Sequence, residues 1–349
     1  MSSKHVTIVA PDIHLRDAVG NHCTYLARDL TKAGVPSRLF AERFSGDLMP
    51  VHPIDELLSN GAGDSTLLVS YSIIDQHLDA LLAMPNRKIC YFHGVTPPDL
   101  LREHEPVTAD LCAHSYEQFP RLAGFDLLVC NSQLNLDELR KVFPSPSARV
   151  IPPVMPSFPV FQRQAVDRPA LHDPIRLTVL GRVVPHKRLE DCIRIVAAAR
   201  DIGLAVELQV IGGCGNMVYM GFLESEVDRL GVREMVKFSG LLSDEDLAEQ
   251  LNRSDALLSC SEHEGFGVPI LEAMHLGLPC LIRSGTAASG VGAEAILEFR
   301  SPQEAATQLQ RLAQEPGLRQ QLIKSGGLRA AQLLQEASVS SWLELLESV

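Results

Sequence analysis

Two carboxylates, Glu264 and Glu272, stand eight positions apart in the stretch S-C-S-E-H-E-G-F-G-V-P-I-L-E-A-M-H-L-G, which runs from residue 259 to residue 277. The turn Gly265-Phe266-Gly267-Val268 lies between them, and Pro269 falls where a helix would begin. Proline is tolerated in a first helical turn, because its missing N–H would have no partner there. The stretch therefore reads as strand end, glycine turn and helix start. Such a turn directs backbone N–H groups from the positive end of a helix toward an anionic or hydroxyl-rich ligand. Glu272, read as part of the first helical turn, can accept two hydrogen bonds from a vicinal diol such as a ribose. Taken alone, either carboxylate also reads as a charge that merely complements the helix dipole.

A second constellation, Gly181-Arg182-Val183-Val184-Pro185-His186-Lys187, follows an apolar run. Arg182 offers a planar guanidinium fork and Lys187 a mobile ammonium, a combination suited to a diphosphate. By themselves they also read as solvated loop cations. Val210-Ile211-Gly212-Gly213-Cys214-Gly215 has the form of a glycine-rich strand-to-helix turn, in which Gly212 would let backbone approach a ligand closely.

The elements that must hold these residues alternate. Apolar runs at Val6–Pro11, Ser37–Phe40, Thr66–Val69, Lys88–Phe92, Leu127–Cys130 and Arg149–Ile151 read as buried parallel strands, several of them separated by helical patterns. In the helix expected to open at Gly20, residues Cys23, Leu26, Ala27 and Leu30 share one face, and Gly34 ends it. Prolines then cluster between Pro152 and Pro174, after which the pattern restarts at Arg176–Gly181 and continues through Pro279–Ile282. Residues 302–349 are helical in pattern. The fold class expected is α/β, with two Rossmann-like domains facing a central cleft. A first domain occupies 1–155, a Pro-rich linker 156–174, and a second domain 175–335; 336–349 form a C-terminal helix. Ligands of open α/β sheets bind at the carboxyl ends of strands.

Bulk properties exclude other classes. The chain has 349 residues, 46% of them hydrophobic, and a net charge of −12. Neither half is basic, which argues against nucleic acid as a partner. The eight cysteines form no C-x-x-C pair and sit mostly in apolar runs, so reduced buried thiols and a cytoplasmic location are expected. Neither a signal peptide nor an apolar run of the ~20 residues needed to span a bilayer is evident.

Taken together, these motifs resemble the retaining GT-B glycosyltransferases of the E-x7-E family (glycosyltransferase family 4, group 1). That family includes sucrose synthase and bacterial mannosyl- and glucosyltransferases of cell-surface polysaccharide. The resemblance covers nearly the whole chain. It rests on four motifs in order: G-R-x-x-x-x-K, V-I-G-G, F-S-G at 238–240, and E-x7-E at Glu264 and Glu272. The resemblance implies that Glu272 holds the ribose of a nucleotide sugar and Glu264 the hydroxyls of the transferred sugar. It implies that Gly265, Phe266, Gly267 and Val268 contact that sugar and its phosphate, with Arg182 and Lys187 on the diphosphate. In the first domain Gly20 matches a glycine of the loop after strand one, and His93 a histidine presented to the donor sugar. Asn131 and Ser132, at a later strand end, are candidates for the acceptor. A strand-end histidine alone also reads as structural.

The resemblance further implies a C-terminal helix that crosses back to the first domain. The acceptor would be a glycan or lipid-linked glycan, and a small soluble acceptor stays open, as does peripheral contact at the inner face of the cell membrane. A GDP-mannose-type donor is preferred to UDP-sugars. No cofactor is expected, and no metal, because no D-x-D motif is evident where a donor diphosphate should bind and two cations stand in its place. The chain departs from the family at Gly20-Asn21, where a Gly-Gly pair is usual, and at Ser289-Gly290, where Pro-Glu is common. A sugar-nucleotide epimerase, a phosphorylase and a non-catalytic sugar-nucleotide sensor are the alternatives.

Overall fold

The computed structural model describes residues 5–14, 17–45, 48–143, 147–155 and 170–348. The chain divides into two compact units, the first made of 1–97, 110–157 and 334–349 and the second of 98–109 and 158–333. Most of the expected linker, 156–169, lies outside the described residues.

In the first unit the elements run β1 (Val6–His14), α1 (Ala18–Lys32), β2 (Ser37–Ser45), β3 (Val51–Pro53), α2 (Ile54–Asn60), β4 (Thr66–Tyr71), α3 (Leu78–Ala83), β5 (Lys88–Phe92), α4 (Pro106–Gln118), β6 (Leu127–Cys130), α5 (Gln133–Val142) and β7 (Ala148–Val150). The seven strands form one sheet in the order β3-β2-β1-β4-β5-β6-β7, every pair parallel. Parallel strands covered on both faces need continuous apolar runs, and β4 and β6 are buried at every position. Helix α1 starts at Ala18 rather than Gly20, because the Asp17 side chain accepts the N–H groups of Val19 and Gly20 and caps the helix there. Its buried face carries Cys23, Leu26, Ala27 and Leu30.

The second unit continues with β8 (Ile175–Leu180), α6 (Leu189–Asp201), β9 (Val206–Ile211), α7 (Met217–Leu230), β10 (Val236–Gly240), α8 (Asp244–Arg253), β11 (Ala256–Ser259), α9 (Val268–His275), β12 (Cys280–Arg283), α10 (Ala287–Gly292), β13 (Leu297–Phe299) and α11 (Pro302–Gln314). Its six strands are also all parallel, in the order β10-β9-β8-β11-β12-β13. The strand order reverses between β8 and β11. That switch point opens a crevice beyond the strand ends.

Helices α12 (Pro316–Glu336) and α13 (Val339–Ser348) complete the chain. In α13, Trp342 and Leu345 enter the core of the first unit, beside Tyr91 and Val154. The segment 98–109, included in the first domain by its position in the sequence, groups with the second unit. The Asn216 side-chain amide donates to the His104 carbonyl at 2.9 Å, and the His104 ring packs 5.1 Å from that of Tyr219. Two further differences from expectation are local. The edge strands β3 and β13 are three residues each, too short to show a period. Helix α7 begins at Met217, where Asn216 caps it, a start that no motif singled out in the sequence marks.

Candidate functional site

In the second unit the candidate residues gather at the carboxyl edge of the sheet, on both sides of the β8/β11 switch point. Where β8 and β9 end, their backbones come very close. A Cβ on Gly212, whose φ is +153°, would lie 1.9 Å from the Gly181 carbonyl oxygen, so only glycine fits. Hydrogen bonds from Gly181 N–H to Ile211 O and from Val183 N–H to Gly213 O, both 2.9 Å, fix the approach. The chain then folds through a short 3-10 turn, Pro185–Lys187, into Arg188, a left-handed non-glycine residue at φ +52°. This reversal sends α6 away and brings the Lys187 side chain back over Gly181, whose Cβ, if present, would lie 3.4 Å from Nζ.

Lys187 Nζ donates to Glu264 Oε1 at 2.5 Å, and the two side chains are 15% and 11% exposed. Burial alone would push the Glu264 carboxyl up. Lys187, with a hydrogen bond from Ser261, more than offsets it and holds the group below the usual glutamate value. His186 and His263 flank the pair with ring centroids 6.5 Å apart. Burial, reinforced by Lys187, pushes His186 down to about 3; burial likewise takes His263 to about 4, so both rings are neutral at pH 7. Arg182 is exposed and has no ion-pair partner among the described residues. A charged pair, two neutral imidazoles and an open guanidinium therefore share one strand edge.

The turn after Glu264 ends at Gly267, the left-handed N-cap of α9 (φ +105°), where a Cβ would meet Ala288 Cα at 3.2 Å. Phe266 is buried beneath it. Val268 opens the helix one residue before Pro269, which makes Glu272 the fifth helical residue and moves it past the first turn. Glu272 is 8% exposed, and its carboxylate has no hydrogen-bond or ion-pair partner among the described residues. Burial, with a contribution from Asp244, pushes its carboxyl up to about 8. The two motif carboxylates are thus in opposite states at neutral pH, Glu264 ionised and Glu272 protonated. At the departure from the family pattern, Ser289 completes a capping box with Thr286 at the start of α10.

The first unit holds the other candidates at the carboxyl ends of β1, β5 and β6. Gly20 sits in the first turn of α1, and a Cβ there would lie 2.1 Å from the His14 carbonyl oxygen, so the glycine lets the helix start abut β1. His93 is buried, with Nε2 2.6 Å from Ser70 Oγ. Its carbonyl accepts from the side-chain amides of Asn131 and Asn135, each at 3.1 Å. Ser132 Oγ accepts the Asn135 N–H at 3.3 Å and caps α5. Gly20, Asn131 and Ser132 thus all have duties within the fold. Burial pushes His93 down to about 3.

Several residues escaped the sequence reading. His22 stacks on Tyr91 at 4.1 Å and lies 5.5 Å from the His93 ring, with Trp342 beside both. Arg188 pairs with Glu190 at 3.1 Å and Glu262 at 3.5 Å. Asp191 binds Arg194 at 2.8 Å and also Arg283. Only Arg188 carried a local signal, its place between Lys187 and a helix start.

Residues 161–329 match the family model described as "Glycosyl transferases group 1". The chain is 28% identical over 170 residues to the MMP alpha-(1->4)-mannosyltransferase of Mycolicibacterium hassiacum, a match covering 47% of this chain and 40% of the relative. It is 28% identical over 224 residues to the D-inositol 3-phosphate glycosyltransferase of Actinosynnema mirum, covering 58% of this chain and 52% of the relative. The matches span about half the length of these relatives. Among solved structures, Anabaena Alr3699/HepE in complex with UDP and glucose superposes with a TM-score of 0.76 at 15% identity, covering 99% of both chains. WaaG, a glycosyltransferase involved in lipopolysaccharide biosynthesis, gives 0.69 at 14% identity, covering 93% of this chain and 95% of that one. The fold is GT-B. Among the described residues, no helix is long and apolar enough to cross a membrane.

Proposed function

We propose, from the premise that this chain carries a group 1 glycosyltransferase domain on a GT-B fold, that it is a retaining hexosyltransferase. It moves a hexose from a nucleotide-diphospho-sugar to a hydroxyl of a glycan, a lipid-linked glycan or a small acceptor, in surface polysaccharide synthesis at the cytoplasmic side of the membrane. The observation that carries this reading is the Lys187–Glu264 pair at the β8/β11 switch point, 2.5 Å apart and beside the glycine turn that opens α9. A buried ammonium already held by a carboxylate stays charged, and it can share its remaining hydrogens with a diphosphate.

In this reading Lys187 and the open Arg182 neutralise the charge that grows on the leaving diphosphate as the C1–O bond of the sugar breaks. Donors fixed before the reaction stabilise such charge without reorganising. The acceptor hydroxyl attacks C1 from the face the diphosphate leaves, and its proton passes to a leaving-group oxygen. No side chain bonds to the sugar. Glu264 and the backbone of Gly265, Phe266, Gly267 and Val268 orient the sugar, with Gly212 shaping the phosphate side. Glu272 takes the ribose diol. The two cations take the part a metal would play, so the reaction runs without one.

A GDP-mannose-type donor is favoured over UDP-sugars, in line with the mannosyl relative above. A thermal-shift screen with GDP, UDP, ADP and TDP, with and without chelator, tests the donor side. A ligand at 100 times its Kd adds about 2.7 kcal/mol of stability. The reading expects the largest shift with GDP, unchanged by chelator. No shift with any nucleotide would refute it.

A further inference from the structure

We propose that Arg283 is a positioning residue for the Lys187–Glu264 pair, joining the loop that carries the carboxylate to the turn that carries the ammonium. The proposal rests on the transferase reading above and deepens it.

Arg283 ends β12, and its backbone is fixed there by pairing with Phe299 of β13. Its side chain is 18% exposed and reaches across the carboxyl edge of the sheet. Nε donates to the Cys260 carbonyl at 2.7 Å, and Nη2 donates to Asp191 Oδ2. Cys260 stands four residues before Glu264, and Asp191 four residues after Lys187. One rigid, planar group thus spans the two segments whose side chains form the pair.

The surroundings fit that duty. Asp191 accepts from Arg188 at 3.4 Å and from Arg194 at 2.8 Å, and its N–H donates to the Arg188 carbonyl at 3.0 Å. Its carboxylate is therefore locked to the residue that follows Lys187. On the other side, the Glu262 N–H donates to the His186 carbonyl at 2.9 Å, the direct backbone link between the same two segments. The Arg188–Glu262 ion pair at 3.5 Å adds to this bond, and Arg283 supplies a further tie that reaches from β12 to both segments and restrains the rotation of one against the other. A guanidinium can hold a carbonyl and a carboxylate at once with fixed geometry, which an ammonium cannot. Reacting groups displaced by about 1 Å lose on the order of 100-fold in rate, so a tie of this kind has a kinetic consequence.

The test compares wild type, Arg283→Met, Arg283→Lys, Asp191→Asn, Lys187→Ala and the Arg283→Met/Lys187→Ala double variant, with GDP-mannose and UDP-glucose as donors. Arg283→Met should lower kcat about 10-fold with little change in donor KM, and Arg283→Lys should recover part of the loss. In the Lys187→Ala background, Arg283→Met should cost nothing further, because the group it positions is gone. Should Arg283→Met fail to fold, Asp191→Asn reports on the same tie and should show the same kcat loss. A general loss of structure would instead add in both backgrounds; that result, or unchanged kcat in folded Arg283→Met, overturns the proposal. If neither donor is turned over, or Lys187→Ala keeps wild-type turnover, the transferase reading fails by itself. Positioning is then decided by 13C NMR titration of the Glu264 carboxyl. A rise toward the ordinary glutamate value in Arg283→Met supports the tie, and an unchanged titration refutes it.

Discussion

Lys187 Nζ and Glu264 Oε1 lie 2.5 Å apart although 77 positions separate the residues in sequence. The two segments meet because β8 and β11 are neighbours in the sheet, and each strand releases its chain at the same edge. Removing one partner leaves a nearly buried charge uncompensated, which costs on the order of 3 kcal/mol. Lys187→Met should therefore destabilise the protein by about that amount, more than Glu264→Gln, where a neutral amide still accepts from the ammonium. Because Glu264 is held below its unfolded value, the pair's contribution is complete above the ordinary glutamate pKa and is lost as pH falls through the lower folded one. Urea unfolding of both variants between pH 3 and pH 7 would measure this.

Glu272 has the opposite linkage. Burial pushes its carboxyl from the ordinary glutamate value of about 4.5 up to about 8 in the folded protein. Between those values the folded state binds more protons than the unfolded state, so this group makes stability fall as pH rises from about 4.5 to 8. Glu272→Gln should flatten the decline in that window. A diol that donates two hydrogen bonds needs the ionised carboxylate, so nucleoside diphosphate binding should release a proton near pH 7. Calorimetric titrations in buffers of different ionisation heat should detect that release in wild type and lose it in Glu272→Gln.

The histidines act in the contrary sense. Burial holds His93, His186 and His263 at about 3, 3 and 4, well below the ordinary histidine value of 6.5. Below 6.5 the unfolded chain gains protons the folded chain refuses, so their contribution is complete above 6.5 and lost progressively as pH falls toward 3–4. Replacing His186 with Asn, which cannot titrate, should make the acid side of the stability profile shallower. An unchanged acid slope would mean that this ring already charges in the folded state.

Gly212→Ala places a Cβ 1.9 Å from the Gly181 carbonyl oxygen at a φ of +153°. Neither backbone can yield without parting β8 from β9. A cost on the order of 3 kcal/mol is expected, visible as a lowered melting temperature. The neighbouring Gly215→Ala, where a Cβ meets nothing within 4 Å, should leave stability almost unchanged.

The parts of the site that lie close together in the chain were legible before any coordinates. Glu264, the glycine turn and Glu272 sit within one strand–turn–helix passage, and their spacing alone places them at a helix entrance. The strands were legible too, since a parallel strand buried on both faces must be apolar throughout, as β4 is. What stayed hidden depends on contacts distant in sequence. The Arg283–Asp191 tie joins residues 92 positions apart. The resemblance implied that the C-terminal helix crosses back to the first domain, but no local pattern encodes that Trp342 meets the Tyr91 and His22 rings there. Arg188 had a local signal in its place before a helix start, but its left-handed backbone was hidden, since an arginine rarely adopts that conformation. Gly20 shows the limit of a motif: the residue stands where a ligand-facing glycine was expected, yet its missing Cβ accommodates the His14 backbone.

The most direct test is nucleoside diphosphate release from GDP-mannose and UDP-glucose by the purified chain in excess chelator, supplied with a mixed glycan and lipid-linked acceptor pool, beside folded Lys187→Ala. The account predicts release with one donor, retention of the α configuration in the product, and loss of at least about 100-fold in the variant. Equal release by wild type and Lys187→Ala would contradict it, as would a product of inverted configuration.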